Sequence, residues 1–263
     1  RITEWVEGRT LRAADRVVVI HQRFADFLTQ QLGVDPSRIV VVRNWTHLPK
    51  SDPVDAASAR AALGWPQGVA LAVHTGNMGA KQGLETIVDA ARVADERGAA
   101  VHFLLVGDGG ERAKLQDLAH GISRLTFVDP LGDAEYRLAL GAADVLIVNE
   151  KPGVAAMAVP SKLTSYFDAG RPVVASTDIA GITASEVLAA EAGVVVPAGA
   201  PEDLVDAVLT VTADSAAAQR FGRNGRRYRE SVLDEDAAIE QWVNLLNELA
   251  PSPARRRAGS KDS

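Results

Sequence analysis

Two short segments carry residue types suited to holding phosphate. In Val159-Pro160-Ser161-Lys162-Leu163-Thr164-Ser165-Tyr166-Phe167-Asp168-Ala169-Gly170-Arg171-Pro172, a loop runs into a helix predicted over 161–169 and stopped at Gly170. A hydroxyl, backbone N–H groups and the Lys162 ammonium then gather at a helix start, where the peptide dipoles favour an anion. A cation is poorly placed there unless an anion joins it, which points Lys162 towards a phosphate. Earlier, Val73-His74-Thr75-Gly76-Asn77-Met78-Gly79-Ala80-Lys81-Gln82-Gly83 sends a strand into a glycine-punctuated turn ahead of another helix. Two such loops in one domain suit a ligand with more than one phosphate.

Each motif also has a plainer reading. Gly76-Asn77-Met78-Gly79 fits a phosphate turn, or a simple strand-to-helix turn that needs positive φ. Gly107-Asp108-Gly109-Gly110 leaves a strand at the edge where parallel sheets bind ligands, yet it equally suits a tight turn capping the next helix. Glu150 and Lys151 are either part of a sugar-phosphate clamp or a solvated charged loop. His74 ends a strand beside Gly76, although a satisfied core histidine is the leading reading. Asp144 orients the entry of a strand rather than reacting.

Composition narrows the classes. With 263 residues, 47% hydrophobic and 24% charged, the chain can bury one or two cores. A net charge of −6 argues against nucleic acid as a partner. Cysteine is absent, which excludes disulfide and thiol chemistry and fits a reducing cytoplasm. No apolar run approaches the roughly 20 residues of a membrane span. Arginine outnumbers lysine 22 to 6, so Lys81, Lys151 and Lys162 stand out. The five histidines have no metal spacing, and no metal or cofactor is expected. The glycines read G-x-x-G-x-x-x-G rather than G-x-G-x-x-G, which disfavours NAD.

The elements that must position these residues alternate. Strands are predicted at 69–75, 101–106, 125–128, 145–148, 172–176 and 193–196, with helices at 84–97, 111–120, 133–141, 161–169 and 183–190 between them. Continuous apolar runs such as Phe103-Leu104-Leu105-Val106 mark strands covered on both faces, and the alternation specifies a doubly wound α/β domain with a parallel sheet. Helices alone follow, at 201–212, 216–232 and 235–249, before a tail at 251–263 expected to be disordered. Residues 1–48 read as helix, strand, helix, strand, too little to bury both faces of a sheet. Beginning at Arg1 inside a helical pattern, the chain reads as a fragment.

The segments Asp15-Arg16-Val17-Val18-Val19-Ile20, Val42-Arg43-Asn44-Trp45, Gly76-Asn77-Met78-Gly79, Val106-Gly107-Asp108-Gly109 and Pro160-Ser161-Lys162-Leu163 occur in an order that resembles the retaining GT-B glycosyltransferases of group 1. The branch it looks most like transfers amino-deoxysugars of the fucosamine type in lipopolysaccharide, capsule or O-antigen synthesis. That resemblance implies a Rossmann-like sugar-donor domain over 49–234, a remnant of the acceptor domain over 1–48, a crossover helix at 235–250 and the tail at 251–263. It implies a UDP-sugar as donor and a lipid-diphosphate-linked saccharide as acceptor. It also implies a cytoplasmic protein held peripherally at the inner face of the plasma membrane through missing N-terminal sequence, and inactive as an isolated fragment.

By the same resemblance the diphosphate meets Gly76, Asn77, Met78, Gly79, Lys81, Ser161 and Lys162. The nucleoside meets Gly107, Asp108, Val128, Pro130, Leu131 and Ser165, and the sugar meets Glu150, Gly153 and Val154. Catalytic residues are unassigned. The chain departs from the family where Asn77 stands for an arginine, Gln82 for a lysine, and Met157 and Ser165 for two glutamates. The missing glutamates keep open a non-catalytic nucleotide-sugar-binding subunit; a nucleotide-sugar 2-epimerase shares the fold, although the loops are poor in the carboxylates and histidines such enzymes rely on.

Overall fold

A computed structural model describes residues 2–45, 52–153 and 161–250. The chain divides into two compact units, Arg1–His47 with Val232–Ser263, and Leu48–Ser231. Val154, Met157 and the tail lie outside the described residues.

The first unit opens with α1 (Ile2–Ala13), β1 (Val17–Val19), α2 (Gln22–Leu32) and β2 (Ile39–Val41). The two strands pair in parallel, Val17 with Ile39 and Val19 with Val41, and α2 crosses between them. His21 Nδ1 accepts from the Arg23 amide at the start of α2, and Gly33 at φ 63° ends it. A small core of Val17, Val19, Ala25, Leu28, Leu32 and Val34 forms beneath.

The second unit holds α3 (Ala56–Leu63), β3 (Ala70–Thr75), α4 (Glu85–Arg97), β4 (Val101–Val106), α5 (Arg112–Leu118), β5 (Leu125–Val128) and α6 (Asp133–Ala142). It continues through β6 (Val145–Asn149), α7 (Lys162–Asp168), β7 (Val173–Thr177), α8 (Ile182–Ala189), β8 (Gly193–Pro197), α9 (Pro201–Ala213) and α10 (Ser215–Val232). A last helix, α11 (Glu235–Leu249), is capped by Asp234 and belongs to the first unit.

The six strands β3–β8 form one parallel sheet in the order β5-β4-β3-β6-β7-β8. The chain starts at the centre, steps outward to β5, then returns to lay β6 on the other side of β3. Parallel strands need crossover helices, and those helices cover both faces, which is why the strands are apolar at nearly every position. Phe103, Leu105, Val145 and Ile147 pack with Ile87, Ala91, Leu115 and Val208 in the larger core.

At the amino edge of the sheet, polar groups are fully matched. Arg60 donates to Ala142 O at 2.8 Å and to Asp144 Oδ2 at 2.6 Å. Asp144 Oδ2 also accepts from the Leu71 amide at 2.8 Å, so it orients a strand entry as the sequence indicated. Arg171 donates to the Val54 and Gly141 carbonyls.

Candidate functional site

β3 and β6 pair only at Ala72–Val145 and Val73–Leu146 before the ladder stops. They are the strands at which the winding reverses, where open α/β sheets leave a ligand crevice beyond the strands' carboxyl ends. Side chains take over from the ladder at this point. Tyr166, from α7, accepts from the Thr75 amide at 2.9 Å and lies 3.1 Å from Thr75 Oγ1 and 3.4 Å from Ile147 O. Tyr136, from α6, adds its hydroxyl 3.3 Å from Thr75 Oγ1. Burial raises the Tyr166 phenol above its ordinary value and keeps it protonated.

His74 spans the same gap. Its Nδ1 lies 3.1 Å from Ile147 O, and its Nε2 lies 3.1 Å from Lys162 Nζ. A carbonyl only accepts, so Nδ1 carries the proton and Nε2 is left as an acceptor for the lysine. Burial first, then the adjacent ammonium, hold the imidazole well below its usual pKa, against the opposing effect of the Ile147 hydrogen bond. The ring is therefore neutral. Burial lowers Lys162 to about 7, with the Glu150 carboxylate acting in the opposite direction. Lys162 Nζ also hangs over Gly76, since a Cβ on that glycine would sit 3.8 Å from it. The two loops singled out in the sequence meet here.

The first loop is tied to both neighbours. Towards β4, the Gly76 amide donates to Val106 O at 2.9 Å, the Met78 amide to Asp108 O at 2.8 Å, and the Glu111 amide to Met78 O at 3.0 Å. Towards β6, the Lys151 amide donates to Lys81 O at 3.1 Å, and Asn149 Nδ2 reaches the carbonyls of Gln82 and Gly83. Gly107, at φ +132°, is required by this stitching: a Cβ there would lie 2.1 Å from Gly76 O. A Cβ on Gly109 would lie 2.5 Å from Met78 O.

Several expected contacts change in this light. The Met78 side chain is fully buried in the core, and its amide and carbonyl are both hydrogen-bonded within the chain. The Gly76 amide is likewise occupied, although its α-carbon still lies under Lys162. Asn77 and Lys81 are exposed, and Gly79 is half-buried. Ser161 is exposed and its hydroxyl does not cap α7, which starts one residue later than predicted, at Lys162.

Asp108 Oδ1 accepts from the Gly109 amide, which is the turn reading of that motif. Val128 O accepts from the Gly107 amide at 2.9 Å. Pro130 is exposed and Leu131 half-buried just beyond. Ser165 lies a turn along α7, half-buried in a crevice with Val54, Arg137 and Leu140. Gly153 is exposed at φ 80°.

Glu150 is the largest departure. Its carboxylate is buried and accepts from the hydroxyls of Thr177 and Thr183, the latter at 2.6 Å. Those bonds tie the end of β6 to β7 and α8, and the charge of the carboxylate favours the protonated form of Lys162.

Sequence reasoning missed Tyr166, Thr75, Thr177 and Thr183. Their signal was present as polar groups inside otherwise apolar segments, since buried hydroxyls must find partners.

The family Glycosyl transferases group 1 matches residues 70–214, and the family Glycosyl transferase 4-like domain matches residues 1–45. The chain is 27% identical over 218 residues to a protein of Escherichia coli K12 named as a colanic acid biosynthesis glycosyl transferase, WcaI, covering 81% of this chain and 52% of WcaI. It is 29% identical over 260 residues to the D-inositol 3-phosphate glycosyltransferase of Mycobacteroides abscessus, covering 95% and 54% of the two. The chain thus spans about half the length of these curated relatives.

Among solved structures, sucrose-phosphate synthase from Thermosynechococcus elongatus superposes with a TM-score of 0.73 at 27% identity, over 94% of this chain and 61% of that one. Anabaena HepE in complex with UDP-glucose gives 0.76 at 19% identity, over 94% and 68%. The fold is the α/β, GT-B type fold of these enzymes. With a family match that runs over more than half of the sequence, the chain belongs to the glycosyl transferases group 1 family.

Proposed function

We propose that this chain is the sugar-donor-binding half of a retaining glycosyltransferase that uses a UDP-sugar, and that the diphosphate lies against Lys162 in the crevice between β3 and β6. The observation that carries the reading is the Lys162 ammonium suspended over Gly76 at that crevice, held by a neutral ring. Such a cation stabilises the charge that develops as the nucleoside diphosphate departs, and losing one positioned group of this kind typically costs about 3–4 kcal/mol of transition-state stabilisation. Exposed Lys81 and the surface of the Gly76–Gly79 turn complete the anion-facing wall.

The sugar transferred is an N-acetylated amino or deoxy sugar, and the acceptor a lipid-diphosphate-linked saccharide, in keeping with relatives named for polysaccharide synthesis. Residues 1–48 and the helix at 235–250 belong to the acceptor side of the whole enzyme, consistent with the separate family match over residues 1–45. The complete protein works in the cytoplasm at the inner face of the membrane. Among the described residues no helix is long and apolar enough to cross that membrane.

Thermal melting with nucleotides tests the assignment. UDP raises the melting temperature more than ADP or GDP at equal concentration, and at 100 times its Kd it adds about 2.7 kcal/mol. Equal shifts with all three would remove the uridine assignment, and no shift with any would remove the donor-site reading itself.

A further inference from the structure

The group that holds Lys162 is as informative as the lysine itself. A lysine drawn into a half-buried crevice is ordinarily paired with a carboxylate, which neutralises it and competes with any incoming anion. Here the atom in hydrogen-bonding contact is instead an imidazole nitrogen, His74 Nε2 at 3.1 Å. That nitrogen can only accept, because the other end of the ring is fixed to Ile147 O at 3.1 Å. The carboxylate acting on the lysine, Glu150, has both oxygens engaged by Thr177 and Thr183. The ring is completely buried and sits where the β3–β6 ladder has ended, so swinging away leaves Ile147 O with only the longer 3.4 Å bond from Tyr166.

We infer that His74 is a positioning residue of the sugar-donor site, holding the Lys162 ammonium over Gly76 for the diphosphate through a neutral acceptor that leaves its charge uncompensated. This rests on the reading of Lys162 as the diphosphate contact. Its consequence is proton linkage. A lysine brought down to about 7 by burial is partly neutral in the empty crevice and takes up a proton when a diphosphate arrives. The other titratable groups facing the pair, among the described residues, are Glu150 at the end of β6, Tyr166 on α7 and Tyr136 on α6.

The test compares wild type, His74→Phe, His74→Gln and Lys162→Ala by calorimetric titration with uridine and with UDP, from pH 6.5 to 9. Phenylalanine fills the site without an acceptor, and UDP affinity falls about tenfold, the scale of one hydrogen bond to a charged group, while uridine affinity changes less than about twofold. Glutamine keeps an acceptor within reach and restores part of the loss. Without its acceptor the ammonium is less favoured, so in His74→Phe the pH at which UDP affinity begins to fall moves downward.

The inference is overturned if His74→Phe binds UDP as wild type does. It is overturned also if uridine and UDP weaken equally, or if the pH profile does not move. Should His74→Phe fail to fold, His74→Leu, which also lacks an acceptor, takes its place, and an unchanged midpoint there overturns the proposal. Unchanged UDP affinity in Lys162→Ala removes the diphosphate assignment itself, whereas a loss there with none in His74→Phe removes only the role of His74.

Discussion

The two edges of the six-stranded sheet treat their cations in opposite ways. At the amino edge, Arg60 is bound to a carboxylate and a backbone carbonyl, and Arg171 to two carbonyls. At the carboxyl edge, Lys162 meets a neutral imidazole and its charge faces the crevice beside Gly76. The first arrangement satisfies every demand of the charge internally and serves the fold. The second leaves the charge for something that is not protein. A cavity also opens at the amino edge, lined by Arg60, Asp144 and Arg171, where Arg60 is paired with Asp144 and Arg171 is held by carbonyls. The size of an opening is therefore a poorer guide to ligand chemistry than the state of the charges around it.

That contrast breaks if a mutation at the amino edge harms binding more than folding. Arg60→Met removes the charged partner of a partly exposed carboxylate that keeps its bond from the Leu71 amide, so it costs about 2 kcal/mol of stability and leaves UDP affinity of the folded protein unchanged. Denaturant unfolding beside titration separates the two. Lys162→Ala has the opposite signature. UDP binding weakens by about 2 kcal/mol, roughly thirtyfold, uridine binding much less, and melting does not fall.

A finer test uses pH. Lys162 titrates near 7 in the folded chain against 10.5 as its ordinary value, so between those limits the unfolded chain holds the proton that the native state has released. The contribution of Lys162 to stability therefore improves as pH rises from about 7 towards 10, and UDP affinity declines over the same range. Melting of wild type and Lys162→Ala at pH 7 and pH 9 checks the sign, the gap between them shifting in favour of wild type at the higher pH. The smallest effect belongs to Ser161→Ala. With an exposed hydroxyl that caps nothing, its stability changes by less than about 0.5 kcal/mol, and any loss of UDP affinity would then report direct contact.

The order of elements was legible because it depends on local pattern. Apolar runs such as Val145-Leu146-Ile147-Val148 could be little other than strands covered on both faces, and Gly33, Gly98 and Gly170 each mark where a helix ends. Lys162 was legible too, as a cation placed at a helix start. What the sequence could not show was pairing across distance. Tyr166 and Thr75 are 91 positions apart, and Glu150 and Thr183 are 33 apart, so a buried hydroxyl could be seen to need a partner without revealing which. Met78 misled because a residue inside a glycine turn reads as part of the loop surface. In the folded chain, stitching to Asp108 and Glu111 turns that side chain into the core.

Beyond Val73 and Leu146, where the β3–β6 ladder ends, the gap is bridged by the side chains of His74, Tyr166 and Asn149 and by the backbone bond from Lys151 to Lys81. Widening it breaks the bonds made by His74, Tyr166, Asn149 and the Lys151 amide without separating the paired part of the strands. Local opening of this kind lies far below the free energy of global unfolding and proceeds independently of it. Opening at this end therefore turns on a few bonds at the strand ends, on a sheet that stays paired beneath them.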